Sequence, residues 1–139
     1  MWVNLTTEQK QNIITQTAVK TGLPDYAIEK DGWVCLLLQA IFQSQYATHI
    51  IFKGGTSLSK AYNIINRFSE DVDLIIDRKL LGFETLPSKM AIKRLREASG
   101  SFIINDFRIT LIQQLSNLGV APDSYTIKYN DKVDDTSDP

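Results

Sequence analysis

Two carboxylates and a glycine turn are the residues of this chain best suited to chemistry. Asp71 and Asp73 open an apolar run, and a strand through them would place both side chains on one face. Two like charges so placed repel each other, and a divalent cation removes that penalty. Hard oxygen ligands of this kind suit Mg²⁺ or Mn²⁺, particularly when phosphate oxygens complete the coordination. The pair therefore predicts a site for one of these ions.

The glycine turn lies in the segment Phe52-Lys-Gly-Gly-Thr-Ser-Leu-Ser-Lys-Ala-Tyr62, at the end of an apolar run. Gly54 and Gly55 let the backbone turn sharply and approach a ligand closely. Free N–H groups at the start of the following helix can bind a phosphate, and the hydroxyls of Thr56 and Ser57 add donors. A bound triphosphate would reach from this turn to the metal, so the two elements together predict a nucleotide-handling enzyme.

Each element taken alone also has an ordinary explanation. A Gly-Gly pair after a strand is usually only a turn, and an isolated Asp-x-Asp is usually solvated charge. The P-loop spacing is not satisfied from either glycine, and the dinucleotide fingerprint Gly-x-Gly-x-x-Gly is absent. Phosphatases with an aspartate nucleophile place Asp-x-Asp at the end of an apolar strand, whereas here the apolar run follows the pair. The combination of both elements, in this order, favours the nucleotide enzyme.

For several polar residues nearby, the sequence gives weaker evidence of a role in binding nucleotide or RNA. Lys60 lies one helical turn past Thr56, where it could reach a phosphate or remain solvated. Arg67 and Ser69 stand before the carboxylates and could orient that strand or touch the nucleotide. Basic residues at helical spacing further along favour a solvated face over an RNA-backbone contact; they are Lys89, Lys93 and Arg96, with Arg94 nearby.

The residue pattern predicts the elements that must position these side chains. It indicates helices over 7–20 and 24–44, a strand–turn–helix–strand unit over 47–77, helices over 88–118 and a strand over 125–129. This order predicts an α+β domain over residues 1–130, with a small mixed sheet flanked by helices. Residues 131–139 form an acidic tail that cannot bury itself, and we expect the chain to stop there before its fold is complete.

Composition sets the broad class. A chain of 139 residues with 43% hydrophobic content is one globular domain, and its net charge of −1 gives no global attraction to nucleic acid or membrane. The single cysteine, Cys35, lies in an apolar run and is expected to be buried; it excludes an internal disulfide. No signal peptide or membrane-length segment is present, so we expect a soluble cytoplasmic protein.

At this point a specific resemblance emerges. The glycine segment quoted above and Arg67-Phe-Ser-Glu-Asp-Val-Asp-Leu74 closely resemble the signature of the AbiEii/AbiGii-type nucleotidyltransferase toxins, within the DNA-polymerase-β-like nucleotidyltransferase superfamily. The segment Glu29-Lys-Asp-Gly-Trp33 is similar to an element that members carry on an early helix.

The resemblance implies a nucleotidyltransferase core and a role in toxin–antitoxin or phage-defence systems. By it, Asp71 and Asp73 hold the metal and the Gly-Gly-Thr-Ser turn cradles the β- and γ-phosphates of an NTP. The reaction is transfer of a nucleotidyl group to an acceptor hydroxyl, which in relatives is often the 3′ end of tRNA. The implied partners are an NTP, an RNA acceptor and a cognate antitoxin protein.

Two other interpretations stay open. Superfamily members use a third carboxylate on a later strand, but 125–129 contains no acid, and Asp123 and Asp131 lie only at its edges. One alternative is therefore a catalytically incompetent fragment or relative that binds nucleotide or antitoxin only. The other is a plain helical interaction domain in which both motifs are incidental.

Overall fold

Helices dominate the computed structural model, which describes residues 5–60, 71–85 and 88–129. In these ranges the helices are α1 (Thr7–Thr21), α2 (Asp25–Phe42), α3 (Gly54–Lys60), α4 (Lys89–Phe102) and α5 (Arg108–Asn117), and the strands are β1 (Ile50–Lys53) and β2 (Asp73–Ile76). The predicted α+β class is confirmed. None of the helices in these ranges combines the length and apolar character that crossing a membrane requires.

The N-terminal helix begins and ends as its sequence predicts. The hydroxyl of Thr6 accepts a hydrogen bond from the backbone N–H of Gln9, and the Gln9 side chain accepts one from the backbone N–H of Thr6. This reciprocal pair satisfies two donors that the first turn leaves without helical partners. Gly22, at φ 74°, ends the helix in the left-handed conformation.

The main core lies between α2 and α5. It consists of buried apolar side chains that two helices and the turn after α5 contribute, namely Leu36, Ala40, Leu115, Leu118 and Val120. Trp33 packs against this cluster, as its place in the apolar run predicts. Cys35 does not: its side chain is exposed, so the prediction of a buried cysteine is wrong. Its neighbours Val34 and Leu36 are the residues of this turn that face the core.

The two described strands form an antiparallel pair. The register joins Ile50 to Ile76 and, at the other end, Lys53 to Asp73. The sheet is thus smaller than the predicted mixed sheet, since no parallel pairing occurs in the described ranges. Strand alternation divides the pair into a core side and an open side, and on the open side Ile51 and Ile75 are 61% and 44% exposed.

The helical region predicted over 88–118 forms, with an interruption. One turn of π-helix at Ile103–Phe107, called the π-turn below, separates α4 from α5. Gly100 lies inside α4 without breaking it. Aromatic rings gather at this turn: Tyr46 and Phe102 meet edge to face with centroids 4.9 Å apart. This contact joins the turn to a residue distant in sequence.

The strand predicted over 125–129 is wrong, because these residues adopt no regular structure. Tyr125 instead packs against the α2–α5 core, directly after a short 3-10 turn at Pro122–Ser124. The acidic tail over 131–139 lies outside the described residues.

Candidate active site

The junction of β1 and α3 brings the glycine turn and the carboxylates together. β1 ends at Lys53, α3 begins at the next residue, and the partner of Lys53 across the sheet is Asp73. The antiparallel register therefore places the start of the carboxylate strand beside the glycine turn. We refer to Gly54–Ser57 with Asp71 and Asp73 as the junction.

Gly54 is the residue that permits this approach. Its φ is 80°, a left-handed backbone conformation that residues other than glycine rarely adopt. A Cβ built on Gly54 would collide with the carboxylate of Asp73, whose Cγ would be 3.1 Å from it. Gly55 differs, because its φ is not positive and an added Cβ would meet no atom of the described residues within 4 Å. Gly54 thus makes room for the carboxylate, whereas no described residue crowds the Cβ position of Gly55.

The two hydroxyl residues of the turn are buried, at 1% exposure for Thr56 and 5% for Ser57. The Thr56 hydroxyl donates to the backbone carbonyl of Asp71 over 2.6 Å, and the Ser57 hydroxyl donates to the carbonyl of Gly54 over 2.9 Å. A hydroxyl has one proton to donate, so in this arrangement both donors serve main-chain oxygens. Thr56 ties the turn to the entry of β2.

Asp71 and Asp73 are both exposed at the entry of β2. The strand begins at Asp73, so Asp71 precedes it and the alternation argument covers only the second carboxylate. Among the described residues, no group of three or more histidine, cysteine, aspartate or glutamate side chains gathers as a metal site would require. The carboxylate donors that the described part of this junction offers are therefore these two.

Lys60 contacts α2. Its ammonium group forms an ion pair with Asp31 and lies 3.4 Å from the sulfur of Cys35. Burial alone lowers the pKa of Lys60, but the hydrogen bond and charge of Asp31, with a smaller effect of Cys35, outweigh burial and raise that pKa above 10.5. Asp31 belongs to the Glu29–Trp33 element, so two separate sequence segments meet at this contact.

Two predicted site residues cannot be placed. Arg67 and Ser69 lie within 61–70, outside the described residues. Their predicted roles at the entry of the carboxylate strand stay predictions.

A cavity of about 330 Å³ lies between β2 and α4. Its charged lining residues are all basic, namely Lys53, Arg78 and Arg96, and most of its other lining residues are apolar, Ile75 and Ile92 among them. Lys53 and Ile75 alternate onto the same side of the sheet as Asp73, so the cavity adjoins the carboxylate strand. We call this cavity the basic pocket. Sequence spacing singled out Arg96 but missed Lys53 and Arg78, because they lie on other elements.

A family model described as "Nucleotidyl transferase AbiEii toxin, Type IV TA system" matches residues 36–139. The match includes the glycine turn and both aspartates, and it begins after the Glu29–Trp33 element. No curated protein and no solved structure matches the chain.

Proposed function

Because the chain belongs to the AbiEii nucleotidyl transferase toxin family, we propose that it transfers a nucleotidyl group from an NTP to an acceptor hydroxyl. The bond that forms joins the acceptor oxygen to the α-phosphorus of the NTP. The bond that breaks is the anhydride between the α-phosphorus and the oxygen bridging to the β-phosphate, so pyrophosphate leaves, and the proton of the acceptor hydroxyl passes to solvent.

The observation that carries this proposal is the contact between Gly54 and the Asp73 carboxylate. It brings a turn suited to phosphate next to a carboxylate suited to a cation, although the two segments are separate in sequence. Strand register places Asp73 opposite Lys53, and the left-handed, side-chain-free Gly54 lets the carboxylate lie against the turn. The contact therefore supports an active site over a plain helical interaction domain.

The donor set fits Mg²⁺ or Mn²⁺. Asp71 and Asp73 offer hard, exposed oxygen ligands, and the absence of a side chain at Gly54 leaves room for the second carboxylate. A bound ion of this kind neutralises charge on the reacting phosphates and makes the acceptor hydroxyl more acidic. The protein contributes the placement of the two carboxylates, which Thr56 supports by holding the carbonyl of Asp71.

The glycine turn would bind the β- and γ-phosphates through backbone N–H groups. No described residue lies within 4 Å of the Cβ position of Gly55, and this supports the assignment, since phosphate oxygens need close access to the main chain. Thr56 and Ser57 would act chiefly by fixing the turn, because their hydroxyl protons are directed to main-chain oxygens. Backbone donors fixed in this way need little reorganisation when the phosphates arrive.

The basic pocket supports an acceptor that carries phosphate, and we assign it to the end of an RNA strand such as tRNA. Three cations and several apolar side chains in one lining suit phosphodiesters and base faces together. Arg78→Gln should weaken binding of an RNA oligonucleotide and reduce its salt dependence by about one counterion. Arg94→Gln is the matched control, since Arg94 is exposed on α4 and does not line the pocket. Equal losses in both variants would remove the pocket from the acceptor site.

Titration calorimetry with each Mg–NTP tests the donor site. Asp71→Asn and Asp73→Asn should each abolish Mg²⁺-dependent binding, because a carboxamide offers the ion no charge. The fold should stay intact, and its stability should be unchanged or slightly higher, because like-charge repulsion disappears. Asp106→Asn, which removes an exposed carboxylate from the π-turn, should bind as the parent does. Unchanged affinity in both junction variants would eliminate the metal site.

Incubation with labelled NTPs and total tRNA then tests transfer. Label in RNA that depends on Asp73 would establish the reaction and its acceptor. Nucleotide binding without any transfer would favour the alternative, a relative that binds nucleotide but does not turn it over.

We also propose a cognate antitoxin protein, since the family's members are described as toxins of Type IV TA systems. Expression of the chain should slow bacterial growth, and co-expression of a neighbouring open reading frame should relieve that effect. Growth that is equally slow with Asp73→Asn would show that the effect does not depend on nucleotidyl transfer.

A further inference from the structure

The ion pair between Asp31 and Lys60 joins two sequence motifs that neither local spacing nor the proposed reaction connects. Asp31 lies on α2, and Lys60 is the last described residue of α3. The side chains are 42% and 22% exposed, respectively, so the pair is partly shielded from solvent. The family match begins at residue 36 and so does not include Asp31.

This pair differs from an ordinary surface salt bridge in how strongly one partner needs the other. Burial works against the charged form of Lys60, and Asp31 provides the main opposing interactions. Without the carboxylate, the ammonium group would keep its desolvation cost and lose its compensation. Lys60 is therefore expected to leave this position when Asp31 is neutralised.

The position of the pair matters because the 7 described residues of α3 are held at Thr56 and again at Lys60. At its start, the hydroxyls of Thr56 and Ser57 bind main-chain carbonyls of the junction. At Lys60, the contact is to α2, a helix whose buried residues include Ala27, Val34 and Leu36. A core helix thus provides the fixed point against which the end of α3 is set.

We propose that Asp31 is a positioning residue of the nucleotide site, which acts through Lys60 to hold α3 and the glycine turn against Asp73. On this proposal, which rests on the proposed function, the Lys60 ammonium group serves α2 and does not bind phosphate directly. The Glu29–Trp33 element thereby acquires a role in the reaction, although none of its atoms touches the substrate.

A double-mutant cycle separates this role from direct phosphate binding. Asp31→Asn and Lys60→Met should each weaken binding of the Mg–NTP that the parent binds most tightly roughly tenfold, and the double variant should be no weaker than either, because all three break one contact. The charge-reversed pair, Asp31→Lys with Lys60→Asp, should recover part of the loss. Asp25→Asn is the control, since it neutralises another aspartate of α2 and should bind within about twofold of the parent.

One outcome of the cycle would overturn the proposal directly. If Lys60 binds phosphate itself, Asp31→Asn should leave the affinity unchanged or raise it, because the ammonium group is released. Lys60→Met alone would then be damaging. A lower thermal midpoint with unchanged affinity in Asp31→Asn would equally reject the proposal, since the pair would then serve stability only.

Hydrogen exchange in the ligand-free protein gives a readout that does not depend on nucleotide binding. Amides of α3 should exchange roughly tenfold faster in Asp31→Asn and Lys60→Met, and at the parental rate in Asp25→Asn. Unchanged exchange in all three variants would refute the positioning role. A parent chain that binds no Mg–NTP, yet shows these exchange differences, would contradict the proposed function while leaving the contact's hold on α3 established.

Discussion

The α2–α5 core and the junction solve opposite physical problems. The core excludes water: Ala40 is fully buried and Leu115 is 5% exposed. At the junction, Asp71 and Asp73 are exposed. The buried hydroxyls of Thr56 and Ser57 donate hydrogen bonds to main-chain carbonyls. Apolar burial therefore stabilises one region, and specific geometry maintains the other.

The difference predicts which property each region controls. Apolar contacts contribute to stability in proportion to area and tolerate small shifts, whereas a ligand site depends on the position of a few atoms. Core substitutions should change the free energy of unfolding with little effect on nucleotide affinity per folded molecule. Junction substitutions should change nucleotide affinity with little effect on the free energy of unfolding, except where one residue contributes to both stability and binding.

Leu115→Ala should have the largest effect on stability. It leaves a cavity in the core cluster and should lower the free energy of unfolding by about 3 kcal/mol. Urea denaturation measures this, and Ile112→Ala, at a 38% exposed position on the same helix, should cost much less. Affinity for Mg–NTP, corrected for the folded fraction, should be unchanged; a large loss would show that the core and the junction are coupled.

Gly54→Ala tests the position where the two properties meet. An alanine at φ 80° is strained, and its Cβ must displace the Asp73 carboxylate. We expect a loss of about 2 kcal/mol in stability together with a clear loss of Mg–NTP affinity. Gly55→Ala is the control for stability, because its Cβ meets no described residue within 4 Å and alanine favours helix. If both variants lose equal stability, the contact with Asp73 has no energetic importance.

Thr56→Val should have a smaller effect. Valine keeps the shape of threonine but leaves the Asp71 carbonyl without the hydroxyl donor, at a cost of about 1 kcal/mol. Thermal denaturation measures this cost. Titration calorimetry should show weaker Mg–NTP binding, because Asp71 at the entry of β2 is held less firmly. Thr56→Ser keeps the donor and should restore most of the affinity. Failure of serine to do so would assign the effect to packing.

Gly55→Val should change stability least, within about 0.5 kcal/mol, because a Cβ at this position meets no described residue within 4 Å. Nucleotide binding should nevertheless fall, since a branched side chain blocks the approach of phosphate to the backbone. Calorimetry with Mg–NTP decides the point. Parental affinity in this variant would mean that the turn has only a structural role.

The elements that local sequence controls were predictable. The capping box at Thr6 and Gln9 and the glycine stop after α1 depend on neighbours within a few residues, and both formed as expected. The prediction of a strand over 125–129 was wrong. It relied on the strand propensity of these residues, whereas Tyr125 packs against the helical core. Propensity describes a segment alone, and the contacts available to it decided otherwise.

For the site, the sequence alone determined which residues could act: a glycine turn, a carboxylate pair and their order along the chain. Only the tertiary structure distinguished Gly54, which accommodates Asp73, from Gly55, whose Cβ position no described residue crowds. It also gave Lys60 its partner on α2 and added Lys53 and Arg78 to the basic pocket. Spacing along one element predicts a shared face, but contacts between elements depend on register and packing, which no single segment encodes.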